Sequence, residues 1–284
     1  MIKSSNEIWE EISVVNNLRF QFKYLGKDND IPVLVAEDYF KFPDQVKEFL
    51  LGGHWWDTGH NDLDSVVRPG KSLYFHEEID EWFSTPLMDP LKSLFGVSKI
   101  TLKSINGNCF NGNMPLDTVY SAFPHTDVVG DNVREQSQVA LNINLTQGDN
   151  VKTGFWSYKG KKSRLDFSWN DRTDETKLLE ELDRSLSPES KWFQIDDYGP
   201  YKLEDMVTMV YNSLVAYPSH FFHNPYVQPE WFTEYDRISL AAFLNITPES
   251  LDFAEKDLDD ISYAWEFFHL DKIYDFHPKK TKTL

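Results

Sequence analysis

His125–Thr126–Asp127 sets an imidazole and a carboxylate two residues apart, and far downstream come His220, His223 and Arg237–Ile238–Ser239. Two histidines and one carboxylate suffice to hold an iron(II) ion on one face and leave its other face open to substrate and dioxygen. In an extended chain residues two apart point the same way, so His125 and Asp127 can grip one ion from one strand end. Pro124 fixes the entry of the chain there. The third ligand has to come from elsewhere, and His220 and His223 are both candidates. Arg237 and Ser239 are also two apart, so both can face inward from one strand. A guanidinium offers a fork to a carboxylate, and a hydroxyl adds a third hydrogen bond. The apolar run Leu240–Ala241–Ala242–Phe243–Leu244 makes an inward Arg237 a buried one. A buried arginine needs a partner, either Asp236 or Glu234 in a salt bridge or the carboxylate of a bound acid.

Such a site needs strands to carry it. Gln138–Leu145 alternates cleanly: Val139, Leu141, Ile143 and Leu145 fall on one face, and Gln138, Ala140, Asn142 and Asn144 on the other. An apolar face against a supporting layer and a small, polar face toward an interior is what a ligand-holding barrel requires. Strands are expected from Ile100 to Ser157, then at Met206–Tyr217 and Arg237–Ile246. The fourteen residues from His223 to Arg237 suit two neighbouring strands joined by a loop. Before them, Val33–Ala36 is a short apolar run and Pro43–Leu51 reads as an amphipathic helix begun at a proline and ended by Gly52–Gly53. Helix is also expected within Asp80–Phe95, within a charged insertion at 171–186, and in the tail from Leu251 to Leu284. Helices early and strands later give an α+β pattern around a mainly antiparallel sheet or barrel.

Composition narrows the class. A chain of 284 residues with 40% hydrophobic and 15% aromatic residues can bury a large core. No apolar run approaches the roughly 18 residues that a membrane helix needs. The N-terminus, with its acids and a tryptophan, does not read as a signal peptide, so the cytoplasm is the expected compartment. Cys109 is the single cysteine, which excludes an internal disulfide and a zinc site of several thiolates. A net charge of −18 argues against nucleic acid or anionic lipid as partner and favours a cationic substrate.

The chain resembles the 2-oxoglutarate and iron(II)-dependent oxygenases, in particular the prolyl-hydroxylase-like branch with bacterial and bacteriophage members. The stretches that carry the resemblance are Tyr120 to Asp127, Val139 to Asn144, Tyr217–Pro218–Ser219–His220–Phe221–Phe222–His223, and Arg237 to Phe243. Val33–Ala36 with Asp38, Phe40, Pro43 and Val46, and the turn Arg68–Pro69–Gly70–Lys71, are similar to the lead-in of phage-type members. The order and spacing cover most of residues 33 to 246. The resemblance selects His223 over His220, because the family's histidine follows an aromatic–Pro–Ser turn by several residues.

It implies a double-stranded β-helix (jelly-roll, cupin-like) core with supporting helices, in a single oxygenase domain over 1–284. Residues 1–99 would be the lead-in, 100–250 the core with its helical insertion near 171–186, and 251–284 a C-terminal extension. His125, Asp127 and His223 would bind Fe(II). Arg237 would pair with the distal carboxylate of 2-oxoglutarate, assisted by Ser239, with Tyr120 and Asn142 or Asn144 as further cofactor contacts. The implied reaction is hydroxylation of a C–H bond of an amino acid, peptidyl residue or small metabolite, with dioxygen consumed and succinate and CO2 released. Related halogenases replace the carboxylate ligand with a small residue, and Asp127 keeps it. The chain departs from the family at Asp149–Trp156, where only part of a glycine-rich turn is present, and this bears on the substrate-side loop. Trp55, Trp56, Phe155 and Trp156 could line a cleft over the metal, but core packing is the favoured expectation for them. The alternative is a non-catalytic, cupin-like binding protein that retains the fold.

Overall fold

The structure is a computed structural model, described for residues 5–16, 18–53, 56–57, 71–74, 97–110, 124–127, 139–148, 150–163, 197–198, 201–226, 231–248 and 282–283. Helices expected at 80–95, at 171–186 and through most of the tail lie outside these residues.

The elements, in chain order, are α1 (Ser5–Ile12), β1 (Arg19–Leu25), β2 (Ile31–Ala36), α2 (Pro43–Leu51), β3 (Trp56–Asp57), β4 (Lys71–Tyr74), β5 (Val97–Phe110), β6 (Val139–Asn144), β7 (Lys152–Tyr158), β8 (Asp197–Tyr198), β9 (Tyr201–Thr208), β10 (Ser213–Pro218), β11 (Phe222–Tyr226), β12 (Arg237–Pro248) and β13 (Lys282–Thr283). Among the described residues they form two antiparallel sheets, ordered β13-β1-β2-β10-β6-β12-β5-β4-β3 and β11-β7-β9-β8. A single bridge between His125 and His223 adds one more short rung beside β11. From β5 onward the chain passes back and forth between the sheets, through the His125 rung, β6, β7, β9, β10 and β11, to β12. That winding is the expected double-stranded β-helix.

The alternation read in β6 sorts its residues between two cores. Val139, Leu141 and Ile143 join Leu214, Ala216, Ile238 and Leu240 on the outer face of the large sheet, under the helices. There Trp9 of α1 meets Phe49 of α2 at 5.3 Å. Helix α2 begins at Pro43, whose missing N–H costs nothing in a first turn. It ends where the Gly52 N–H donates to the Glu48 carbonyl at 3.0 Å, with Val46 and Leu50 buried. The opposite face of the large sheet looks into the barrel, where Val33, Ala140, Val215 and Phe243 pack against Phe155, Val207 and Phe221 of the smaller sheet.

Two expectations are corrected. Met206–Tyr217 is two strands in different sheets, β9 and β10, because the chain reverses at Tyr211–Asn212 with Asn212 at φ 60°. Strands β11 and β12 are not neighbours: their loop crosses from one sheet to the other, so His223 and Arg237 face the interior from opposite walls. The strand expected up to Ser157 is present as β7, Lys152–Tyr158, and covers most of the segment where the resemblance places a partial turn.

Asn212 is well chosen for its bend, since asparagine tolerates the left-handed region. Its Oδ1 accepts the Phe40 N–H at 2.8 Å, and its Nδ2 donates to the Phe40 carbonyl at 2.8 Å. Asn212→Ala should therefore cost about 2–4 kcal/mol, from two buried hydrogen bonds and a strained φ. Asn212→Gly, which removes only the bonds, should cost less. Urea denaturation of both variants checks this, and equal losses would show that φ contributes nothing.

Candidate metal centre and anion pocket

The metal-binding candidates meet where the two strand segments bridge. His125 and His223 each donate a backbone N–H to the other's carbonyl, at 2.9 and 2.8 Å, and the Asp127 N–H donates to the Ser219 carbonyl at 3.0 Å. The turn before β11 and the segment 124–127 therefore fix each other, and the two imidazole rings lie 4.6 Å apart. Asp127 stands between them, with Oδ1 3.7 Å from His125 Nε2 and Oδ2 3.2 Å from His223 Nε2. One ligand atom from each of the three residues lies within 4.8 Å of the others. His223 Nδ1 is 2.9 Å from the Phe221 carbonyl. A carbonyl only accepts, so Nδ1 carries the proton and Nε2 is the nitrogen left for a metal, the arrangement a metal ligand needs. His220 turns elsewhere: its Nδ1 is 2.9 Å from Ser163 Oγ, and it is no member of the trio.

Arg237 opens β12 and is 4% exposed. Its Nε and Nη2 have no hydrogen-bond partner, and neither has the hydroxyl of Ser239, which is 1% exposed. Neither Asp236 nor Glu234 hydrogen-bonds these two nitrogens. Burial pulls the guanidinium down from its ordinary value to about 10, with nearby Tyr217 opposing the shift. At neutral pH a full positive charge thus sits in the interior with two donors unmet. Native structures rarely leave such groups unpaired without a ligand to meet them.

One cavity joins the two halves of the site. It is lined by His125, Asp127 and His223, by Arg237 and Ser239, and by Asn108, Asn142, Thr153, Tyr217 and Phe243. The donor set, two imidazoles and a carboxylate, fits a divalent transition metal. The unpaired guanidinium and hydroxyl fit a carboxylate. An iron ion chelated by a 2-oxo diacid would meet both demands.

Of the other expected cofactor contacts, Asn142 borders the cavity with its Oδ1 unpaired. Asn144 does not border it. Its Nδ2 donates to the carbonyls of Thr146, Met209 and Val210 at 2.9, 3.0 and 3.1 Å, and its Oδ1 accepts the Thr146 N–H at 2.8 Å. Tyr120 and Trp55 lie outside the described residues, as does the side chain of Trp56. Phe155 packs edge-on against Tyr217 at 5.2 Å, inside the apolar part of the barrel. Trp156 points to the other face of β7 and donates its indole N–H to Asn224 Oδ1 at 2.8 Å. Neither lines the cavity, and both are fully buried, which is the favoured core expectation rather than the cleft.

Sequence reasoning missed Asn108 and Tyr217. Asn108 pairs with Ser239 across β5 and β12, and its one signal was the alternation Asn106–Gly107–Asn108. Tyr217 lies one turn before the candidate ligand His223, and its ring touches that of His223 at 4.7 Å.

No protein-family model and no curated protein matches the chain. Solved structures do. HygX from Streptomyces hygroscopicus, with nickel, 2-oxoglutarate and hygromycin B bound, is 13% identical over 81% of this chain and 90% of its own, with a TM-score of 0.43. SnoK, a non-heme alpha ketoglutarate dependent carbocyclase from nogalamycin biosynthesis, is 11% identical over 86% and 83%, with a TM-score of 0.43. An oxidoreductase of the 2OG-Fe(II) oxygenase family from Burkholderia pseudomallei is 8% identical over 72% and 77%, with a TM-score of 0.36. At such identities and TM-scores, the roles of residues here rest on their own geometry. Among the described residues no helix is long and apolar enough to cross a membrane.

Proposed function

We propose that this protein is an iron(II)- and 2-oxoglutarate-dependent dioxygenase, of the prolyl-hydroxylase-like branch and acting in the cytoplasm, that hydroxylates a C–H bond. The observation that carries the reading is the buried Arg237, with Nε and Nη2 unpaired, opening onto the same cavity as His125, Asp127 and His223. A zinc hydrolase built on the same three ligands has no use for such a cation. The same reading takes residues 1–284 as one oxygenase domain.

In this reading His125, Asp127 and His223 hold the metal on one side, and the Phe221 carbonyl fixes the His223 tautomer. Iron with 2-oxoglutarate bound would supply the oxidising chemistry, with dioxygen consumed and succinate and CO2 released. Arg237 and Ser239 take the distal carboxylate and so set the direction in which the acid lies. Asn142 and Asn108 border it, and Tyr120 completes the set expected from the sequence. Phe155, Tyr217 and Phe243 keep the interior apolar and limit water beside the reacting centre. Asp127 would hold the metal through its carboxylate, where related halogenases have a small residue, which favours hydroxylation.

The substrate is an amino acid, a peptidyl residue or a small metabolite, and the net charge of −18 favours a cationic one. The test is succinate formation from 2-oxoglutarate in air. Slow, iron-dependent turnover without added substrate is expected. A protein that binds iron and 2-oxoglutarate but releases no succinate under any substrate panel would be the non-catalytic, cupin-like alternative.

A further inference from the structure

Arg237 needs more than burial to be aimed, because it stands at the first residue of its strand. On one side its backbone pairs with Phe110 of β5. On the other side the ladder to β6 stops two residues later, at Ser239 opposite Asn144. Beyond that point the partner strand has already left the sheet, yet the backbone of Ile238 is fully engaged. The Leu145 N–H donates to the Ile238 carbonyl at 3.0 Å. The Thr146 hydroxyl accepts the Ile238 N–H at 2.6 Å and donates its own proton to the Ile238 carbonyl at 3.1 Å. One hydroxyl thus replaces the missing rung, as both acceptor and donor.

Thr146 is itself held. Its backbone N–H is taken by Asn144 Oδ1, and the Asn144 amide is anchored on the carbonyls of Met209 and Val210 just before β10. Asn144, Thr146 and Ser239 are each 0–1% exposed. The β-branched threonine has a restricted χ1, so its hydroxyl is presented with little rotational freedom.

We propose that Thr146 is the positioning residue for Arg237, and that the Asn144–Thr146–Ile238 network sets the preference of the pocket for a 2-oxo diacid over a 2-oxo monoacid. The inference rests on the proposed cofactor reading of the pocket. A buried guanidinium reads a carboxylate through short, directional hydrogen bonds, and a displacement of about 1 Å forfeits much of them. Thr146→Val keeps the shape and removes both bonds to Ile238.

The test is calorimetric titration of the manganese-loaded protein with 2-oxoglutarate and with 2-oxopentanoate, which has the same chain length and a methyl in place of the distal carboxylate. A merely structural role would weaken both ligands together. Loss of aim should leave 2-oxopentanoate unchanged within about twofold and weaken 2-oxoglutarate by at least about 10-fold, with manganese affinity unaltered. Thr146→Ser, which retains the hydroxyl, should recover most of the preference. If the valine variant does not fold, Thr146→Cys, with its weak S–H donor, carries the same expectation. A valine or cysteine variant with the full wild-type preference overturns the role of Thr146 and leaves the cofactor reading intact. A wild-type protein that does not prefer the diacid overturns both.

Discussion

Replacing Arg237 with methionine should raise the thermal midpoint of the ligand-free protein by roughly 3–6 °C and weaken 2-oxoglutarate binding by at least about 100-fold. Both effects follow from one buried, uncompensated cation. The folded-state value of about 10 lies below the ordinary value of an arginine because burial disfavours the charge. Between those two values the unfolded chain binds a proton that the folded chain does not, so stability rises with pH across that window. Below about pH 10 the whole penalty, on the order of 3 kcal/mol, is in force. Methionine fills similar apolar space without the charge, and exchanging an unpaired buried ion for a hydrophobic residue is often stabilising.

The same substitution removes the partner for the distal carboxylate. The metal trio faces Arg237 from the opposite wall, so iron affinity should stay within about threefold of wild type. Differential scanning fluorimetry, with and without 2-oxoglutarate, reads both halves at once. The wild type should gain stability from the acid, and the methionine variant should start higher and gain almost nothing. A variant less stable than wild type in the absence of ligand would mean that the guanidinium is already satisfied in the free protein.

The second large effect separates two histidines three residues apart. His223→Ala should reduce iron(II) affinity by at least about 100-fold and succinate formation to below about 1%. His220→Ala should leave iron affinity within about threefold, although it should lower stability by breaking the buried contact with Ser163. The difference comes from what each ring nitrogen meets. His223 gives Nδ1–H to the Phe221 carbonyl and points Nε2 at Asp127, whereas His220 uses Nδ1 on Ser163. Equilibrium titration with iron(II) under anaerobic conditions checks it. Equal losses in the two variants would sink the assignment.

Much of this was legible in the chain. The alternation across Gln138–Leu145 assigned faces correctly because each strand of a two-layer core is apolar on one side for a physical reason. The proline at the start and the glycines at the end of Pro43–Leu51 bounded α2 correctly, because both act through local backbone geometry. What failed depends on tertiary placement. Asn142 and Asn144 share a face and are equivalent by periodicity, yet Asn144 lies where three loop carbonyls converge and has no donors left for a ligand. The spacing from His223 to Arg237 suited adjacent strands equally well, and only the crossing between sheets sets them on opposite walls. The break at Asn212 was hidden inside an apolar run, and its sign is a side chain that closes two bonds onto Phe40, far away in sequence. Phe155 and Trp156 are both buried, as core packing predicts, although as consecutive residues of β7 they face opposite sides.

The most direct measurement is the visible absorption of the anaerobic, iron(II)-loaded protein on addition of 2-oxoglutarate. Chelation of iron(II) by a 2-oxo acid gives a weak charge-transfer band. The band should appear in the wild type, saturate at one equivalent of the acid, and vanish in His223→Ala. Stoichiometric iron without any band would contradict a shared site for the metal and the 2-oxo acid.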